Sequence, residues 1–148
     1  MKITINIDDK LTETQIHISS PALSAELEKM IAALRIYDQQ MVVFKGEESV
    51  ILEVAQIVYV ESVDRKTFVY TRNNFYETKL RLYEMEEQLC QSGFLRTSKS
   101  CLVQLKQIRT LKTELNRKLR VTLENGEQLM VSRQYADELK RRLGVIAK

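Results

Sequence analysis

The sequence predicts an α+β protein, mostly β, with about eight to ten short strands in antiparallel connections and three helices. Three observations carry that expectation. Short runs of β-branched and aromatic residues recur from Met41 to Val131, each bounded by polar turn residues. An Asn125-Gly126 pair, a strong short hairpin signal, sits between the runs Lys118–Leu123 and Gln128–Val131. Apolar spacing of three and four residues, the mark of an amphipathic helix, follows Ser20-Pro21, Thr78 and Ser132.

The elements follow in chain order. Ile3, Ile5 and Ile7 alternate with polar residues, and so do Ile16 and Ile18 within Thr14–Ile18, so these runs are expected to pair as a hairpin across Asp8-Asp9-Lys10. His17 falls on the side away from the isoleucines, as an exposed polar residue and not a ligand. Ser20 and Pro21 offer a hydroxyl N-cap and a first-turn proline. Leu23, Leu27, Met30, Ile31 and Leu34 then make one stripe of a helix of roughly 15 residues.

From Met41 the pattern is strand-like. Met41–Phe44 and Ser49–Leu52 flank a turn at Gly46. Ile57-Val58-Tyr59-Val60 is apolar throughout, as suits a central strand buried on both faces. A polar connection, Glu61–Lys66, leads to Thr67–Thr71, and Asn73-Asn74 turns the chain into Phe75–Glu77. Thr78 is placed to cap a helix from about Lys79 to Gln91, with Leu82, Met85 and Leu89 inward and Gly93 just past its end. Further strands are expected at Arg109–Thr113, Lys118–Leu123 and Gln128–Val131. Ser132 caps a closing helix, Arg133–Leu143, whose inner side is Tyr135, Leu139 and Leu143, and Gly144 ends it.

Between the second and third of these groups lies Phe94–Val103, a polar run with apolar anchors at both ends. It holds two cations, Arg96 and Lys99, and three hydroxyls, Thr97, Ser98 and Ser100. No Asp or Glu stands between Gln88 and Lys112. The run reads as a functional loop held at both ends and suited to an anionic ligand.

Charge is distributed unevenly. Residues 46–90 hold five Lys/Arg against nine Asp/Glu, whereas residues 91–148 hold thirteen against five. A solvated charged face is the usual explanation of a charge run, and polarity this strong raises the expectation of a polyanionic partner beside it. Most enzyme classes lack their motifs here: no nucleophile elbow, no Walker loop, no Gly-rich dinucleotide turn. Cys90 and Cys101 have no ligand spacing and the chain has one His, so no metal, cofactor or catalytic residue is expected. Reduced cysteines and an N-terminus without a continuous apolar core point to the cytoplasm. No run of about 18 apolar residues occurs, which excludes a spanning helix. No pair of helices stands at helix-turn-helix spacing, and the aromatics are scattered, which disfavours a base-stacking RNA platform. Two classes remain: a nucleic-acid binder using loops, or an interaction module whose basic face takes an acidic protein.

Three motifs resemble one family. Ile57-Val58-Tyr59-Val60-Glu61-Ser62 resembles the "I-x-Y-I-E-S" strand of the LytTR family of bacterial DNA-binding domains. Phe94 to Ile108 resembles that family's "F-x-R-x-H-x-S-x-x-V-N-x-x-x-I" signature, and Val131-Ser132-Arg133-Gln134-Tyr135 its closing "V-S-R-x-Y" segment. The likeness covers about residues 44–145 and leaves residues 1–40 as a strand–helix extension that is a candidate for dimerisation. It implies a sequence-specific transcriptional regulator, not an enzyme, that binds double-stranded DNA through loops and not through a recognition helix, without membrane insertion. A homodimer is a separate expectation: the apolar helix stripe of the extension packs on its own sheet or on a second copy, and repeated half-sites would favour the latter. Contacts are implied from three loops: Lys66 and Thr67, Ser98 and Lys99, and the turn at Arg133. Lys99 and Arg133 would reach base edges; Arg96 and Ser100 would either touch phosphate or brace the loop. Ser98 stands where many members carry His, and Gln104 where many carry Asn; the latter change is expected to be structural. The first 40 residues do not resemble the receiver domain that often precedes this module, so phosphorylation control is not expected.

Overall fold

The computed structural model describes residues 1–145. Its strands are β1 (Gln40–Lys45), β2 (Glu48–Glu53), β3 (Tyr59–Val63), β4 (Lys66–Tyr70), β5 (Phe75–Thr78), β6 (Phe94–Ser98), β7 (Cys101–Gln104), β8 (Ile108–Thr113), β9 (Leu119–Leu123) and β10 (Gln128–Val131). Three α-helices accompany them: α1 (Ala25–Tyr37), α2 (Leu82–Leu89) and α3 (Arg133–Leu143). Seven strands form one antiparallel sheet in the order β2-β1-β5-β4-β3-β7-β6, and three form a second in the order β10-β9-β8.

The apolar run at Ile57–Val60 explains the layering. β3 lies inside the larger sheet between β4 and β7, and the pleat sends successive side chains to opposite faces. Val60, with Ile57 ahead of the strand, joins a core made with Val43, Val69, Phe94 and Leu102 and roofed by Leu82, Met85 and Leu89 of α2. Tyr59, with Val58, joins a second core, against Val121 and Leu123 of the small sheet and Ala136 and Leu139 of α3. One sheet thus serves two cores, and the closing helix is fixed to the second.

Turn chemistry sets where the hairpins point. Asp64 and Arg65 have φ of 50° and 67°, so β3 and β4 are joined by two left-handed residues. Asn116 and Arg117 do the same between β8 and β9, at φ 67° and 65°. The Asn125-Gly126 hairpin forms as expected by a different geometry. Gly126 alone is left-handed (φ 88°), and its N–H donates to the Leu123 carbonyl at 2.9 Å. That makes a three-residue loop closed by a bulge, not a two-residue turn.

Four local expectations are corrected. Residues 1–24 contain no strand or α-helix, and Ile3, Ile5, Ile7, Ile16 and Ile18 are all exposed. An isolated two-stranded hairpin is marginal in water, and nothing here covers its isoleucine face. The first helix begins at Ala25 and not beside Pro21. Ser24 takes the capping role, its Oγ accepting the Leu27 N–H at 3.1 Å, while Ser20 donates its hydroxyl to the Ala22 carbonyl. α2 starts three residues later than expected because Thr78 is buried at the end of β5, where its hydroxyl accepts the Leu80 N–H. Finally, Phe94–Val103 is a β-hairpin and not a loop, and Thr97 within it is fully buried. The closing helix matches its expected span, although the Ser132 hydroxyl makes no capping bond.

Candidate functional site

The β6–β7 hairpin turns at Lys99-Ser100, with Ser98 paired to Cys101 and a register irregularity between Arg96 and Ser98. Three bonds hold the backbone of the hairpin, two of them from outside it. The Ser62 N–H on β3 donates to the Ser100 carbonyl at 2.8 Å. Arg96 Nη1 donates to the Lys99 carbonyl at 2.7 Å, and the Ser132 N–H donates to the Thr97 carbonyl at 2.8 Å. Inside the turn, Ser98 Oγ accepts the Ser100 N–H at 3.2 Å. With its carbonyls occupied, the turn presents the exposed Lys99 side chain and the Ser100 hydroxyl outward.

The bond from Ser132 matters most for assembly of the site. It joins the N-cap of α3 to the hairpin, so Arg133, exposed at the first position of α3, lies beside the Lys99 turn. Ser98, Lys99, Ser100 and Arg133 line one cleft, together with Asn116, Lys118, Ser132 and Gln134. Three cations and no carboxylate line it. The N-terminal end of α3 adds its own positive partial charge.

Lys66, Thr67 and Arg96 line an adjoining cleft, which shares Lys99 and Ser100 with the first. The expected residues therefore gather around one turn, but they are not equivalent. Thr67 is 5% exposed and sits between Ser62 and Thr78 in the sheet, so its side chain belongs to the scaffold. Lys66 is exposed and faces Glu77 at 3.9 Å. Arg96 is committed: its Nε faces Glu86 on α2 at 3.2 Å while Nη1 holds Lys99. Of the two roles open to it from sequence, bracing the turn is the one its bonds fit.

Several lining residues went unnoticed in the sequence: Arg65, Asn116, Lys118 and Gln134. Asn116 carried a usable signal, since an Asn between two β-prone runs tolerates the left-handed conformation that the turn adopts. Lys118 and Arg65 had no distinguishing mark among the many cations.

Burial pushes the Cys101 thiol up to about 11, which keeps it protonated. Tyr59 is raised chiefly by burial and then by the Glu127 carboxylate near it, and its ring stacks on Tyr70 at 4.3 Å. Gln104, on β7, is buried, and its Nε2 donates to the carbonyls of Ala55 (3.3 Å) and Ile57. Among the described residues no group of three or more His, Cys, Asp or Glu could hold a metal ion, and no helix is long and apolar enough to cross a membrane.

Known proteins resemble this chain along most of its length. The model of the LytTr DNA-binding domain family matches residues 47–144. Two relatives, each called an uncharacterized HTH-type transcriptional regulator, come from Staphylococcus aureus strains MSSA476 and MW2. Each is 31% identical over 147 residues, covering 98% of this chain and 99% of the relative. A solved LytTr DNA-binding domain from Bacillus cereus superposes with a TM-score of 0.67 at 24% identity, covering 72% of this chain and 97% of that one. That likeness shows the fold. As for the term HTH in the relatives' names, strands separate every two consecutive α-helices among the described residues here.

Proposed function

This chain belongs to the LytTr DNA-binding domain family, and from that premise we propose that it is a sequence-specific transcriptional regulator reading double-stranded DNA through inter-strand turns. The observation that carries the reading is the bond between the Ser132 N–H and the Thr97 carbonyl, which sets Lys99 and Arg133 side by side on an acid-free cleft. Lys99 and Arg133 are the base-reading residues. Arg pairs bidentately with the O6 and N7 acceptors of guanine, and Lys reaches the same acceptors as a point charge. Ser98 and Ser100 flank Lys99 and offer hydroxyls to base edge or phosphate, while Lys66 contributes to positioning on the backbone.

The regulator acts in the cytoplasm, where DNA is. It binds repeated half-sites as a homodimer, with residues 1–40 the candidate joining element and residues 44–145 the DNA-binding domain. Support for dimerisation is the exposed apolar character of the N-terminal segment, including Ile3, Ile5, Ile7 and Leu23. No catalytic step is assigned to the chain.

Selection of bound duplexes from random DNA, followed by gel-shift titration at two salt concentrations, tests the proposal. A bound fraction that survives excess random DNA is the expected result. Binding that vanishes under random competitor, while an acidic protein is still captured, would favour the interaction-module alternative.

A further inference from the structure

The second cleft has a charge pattern that base reading leaves unexplained. Arg65 and Lys66 enter it from the β3–β4 turn, Lys79 and Arg81 from the segment between β5 and α2, and Lys99 from the shared hairpin. Lys66 has Glu77 at 3.9 Å. Arg96, the sixth cation of the cleft, has Glu86 at 3.2 Å, and Glu77 itself lines the cleft. The other four, Arg65, Lys79, Arg81 and Lys99, form no ion pair among the described residues. Glu84, the acid nearest in sequence to Arg81, is engaged: its Oε1 accepts the Arg81 backbone N–H at 3.0 Å. Lys79 carries its ammonium over the Phe44 ring, 5.0 Å from the centroid, which steadies the chain and leaves its charge uncompensated.

Cations gathered in one concavity repel one another, and the arrangement suits a bound polyanion. The shape narrows the choice. Lys99 and Ser100 line both clefts, so the hairpin turn is the wall between them. A turn entering the major groove of a duplex, about 12 Å wide, meets a sugar–phosphate backbone on either side.

We propose that this second cleft seats one phosphodiester strand of the duplex whose groove receives the Lys99 turn, with Arg65, Lys79 and Arg81 as its phosphate contacts. The assignment rests on the DNA-binding reading above. It gives the site a division of labour: the cleft at Arg133 discriminates sequence, and the cleft at Arg81 supplies affinity that is independent of sequence. Lys79 and Arg81 belong to a segment that the base-reading loops do not include.

Two substitutions that spare the fold test it. Lys79→Gln removes an exposed charge, and Arg65→Asn keeps a residue that accepts a positive φ. Each protein is titrated against a random duplex and a selected duplex across a salt series, with Arg141→Gln, at the far end of α3, as control. Each cleft variant is expected to flatten the dependence of log affinity on log salt by about 0.9 and to weaken both duplexes by the same factor. The control should match wild type. If both variants keep the wild-type slope while Arg133→Ala loses discrimination, the cleft lies off the DNA and this assignment falls alone. If wild type binds no duplex, both readings fall together.

Discussion

Arg96 links the Lys99 turn to helix α2: its Nη1 donates to the Lys99 carbonyl at 2.7 Å, and its Nε meets Glu86 at 3.2 Å. The guanidinium is mostly buried, its side chain 15% exposed, whereas Glu86 is 43% exposed. A planar fork with several fixed donors can serve a carbonyl and a carboxylate together; a lysine ammonium, as a point charge, holds neither direction. The turn is therefore positioned by the folded core and not by its own sequence alone.

That link gives a first prediction. Arg96→Lys should keep net charge yet weaken binding to a selected duplex, because the Lys99 backbone loses its brace. Hydrogen bonds to charged groups contribute about 1.5–3 kcal/mol, and with Glu86 partly solvated the lower end applies to stability. Urea unfolding should register about 1.5 kcal/mol, and gel shift should show a loss for both Arg96→Lys and Glu86→Gln. Wild-type affinity in Glu86→Gln would remove α2 from the positioning of the turn.

Arg133 tests the reading of bases directly. The side chain is exposed and the helix starts from Ser132 backbone bonds, so Arg133→Ala should leave the circular dichroism spectrum unchanged. Loss of a bidentate contact predicts about 1–3 kcal/mol weaker binding and relaxed preference at one base position. Competition between selected and single-mismatch duplexes measures both effects; an unaltered preference would reassign Arg133 to phosphate.

Gln104 yields a prediction about stability. It is 4% exposed, and its amide donates to the carbonyls of Ala55 and Ile57 that lead into β3. Replacing it with Ala strips those buried carbonyls of a donor and should destabilise the fold by about 1–3 kcal/mol. A denaturation midpoint equal to wild type would contradict this. Measured DNA affinity at saturating stability should barely move, since Gln104 lines neither cleft.

How far the sequence reached differs by element, for physical reasons. Long-range β pairing was legible from Ile57–Val60, because burial on two faces demands four apolar residues in a row. The closing helix was legible from Leu139 and Gly144. Failures came where local signals lacked a tertiary partner: the alternating isoleucines before residue 20 pattern like strands, but no surface receives them. Thr78 shows the reverse, a good capping residue claimed by the sheet. At the site, Lys99 and Arg133 were found by motif resemblance, and no feature of spacing joins residues so far apart. The Ser132 bond that unites them is a backbone contact, which side-chain pattern does not encode.

The buried thiol of Cys101 gives a pH prediction with a definite sign. Burial raises it from 9.0 to about 11, so between those values the folded chain keeps a proton that the unfolded chain has lost. Stability from this group is complete below pH 9 and is lost as pH rises through 11. A two-unit separation corresponds to roughly 2–3 kcal/mol at the alkaline limit. Tyr59 and Tyr70 are raised too, so alkaline unfolding alone would not isolate the thiol. The difference between wild type and Cys101→Ala reports the thiol together with its small share in raising Tyr70, since the other causes of the tyrosine shifts are common to both proteins. Urea midpoints of the two proteins should converge, or cross, as pH rises from 9.0 to about 11, the interval between the thiol's unfolded and folded values. A gap that stays constant across that window would show that Cys101 titrates alike in both states. Thiol-reactive dye supplies an independent check: the exposed Cys90 should label quickly in the native protein, and Cys101 only on unfolding.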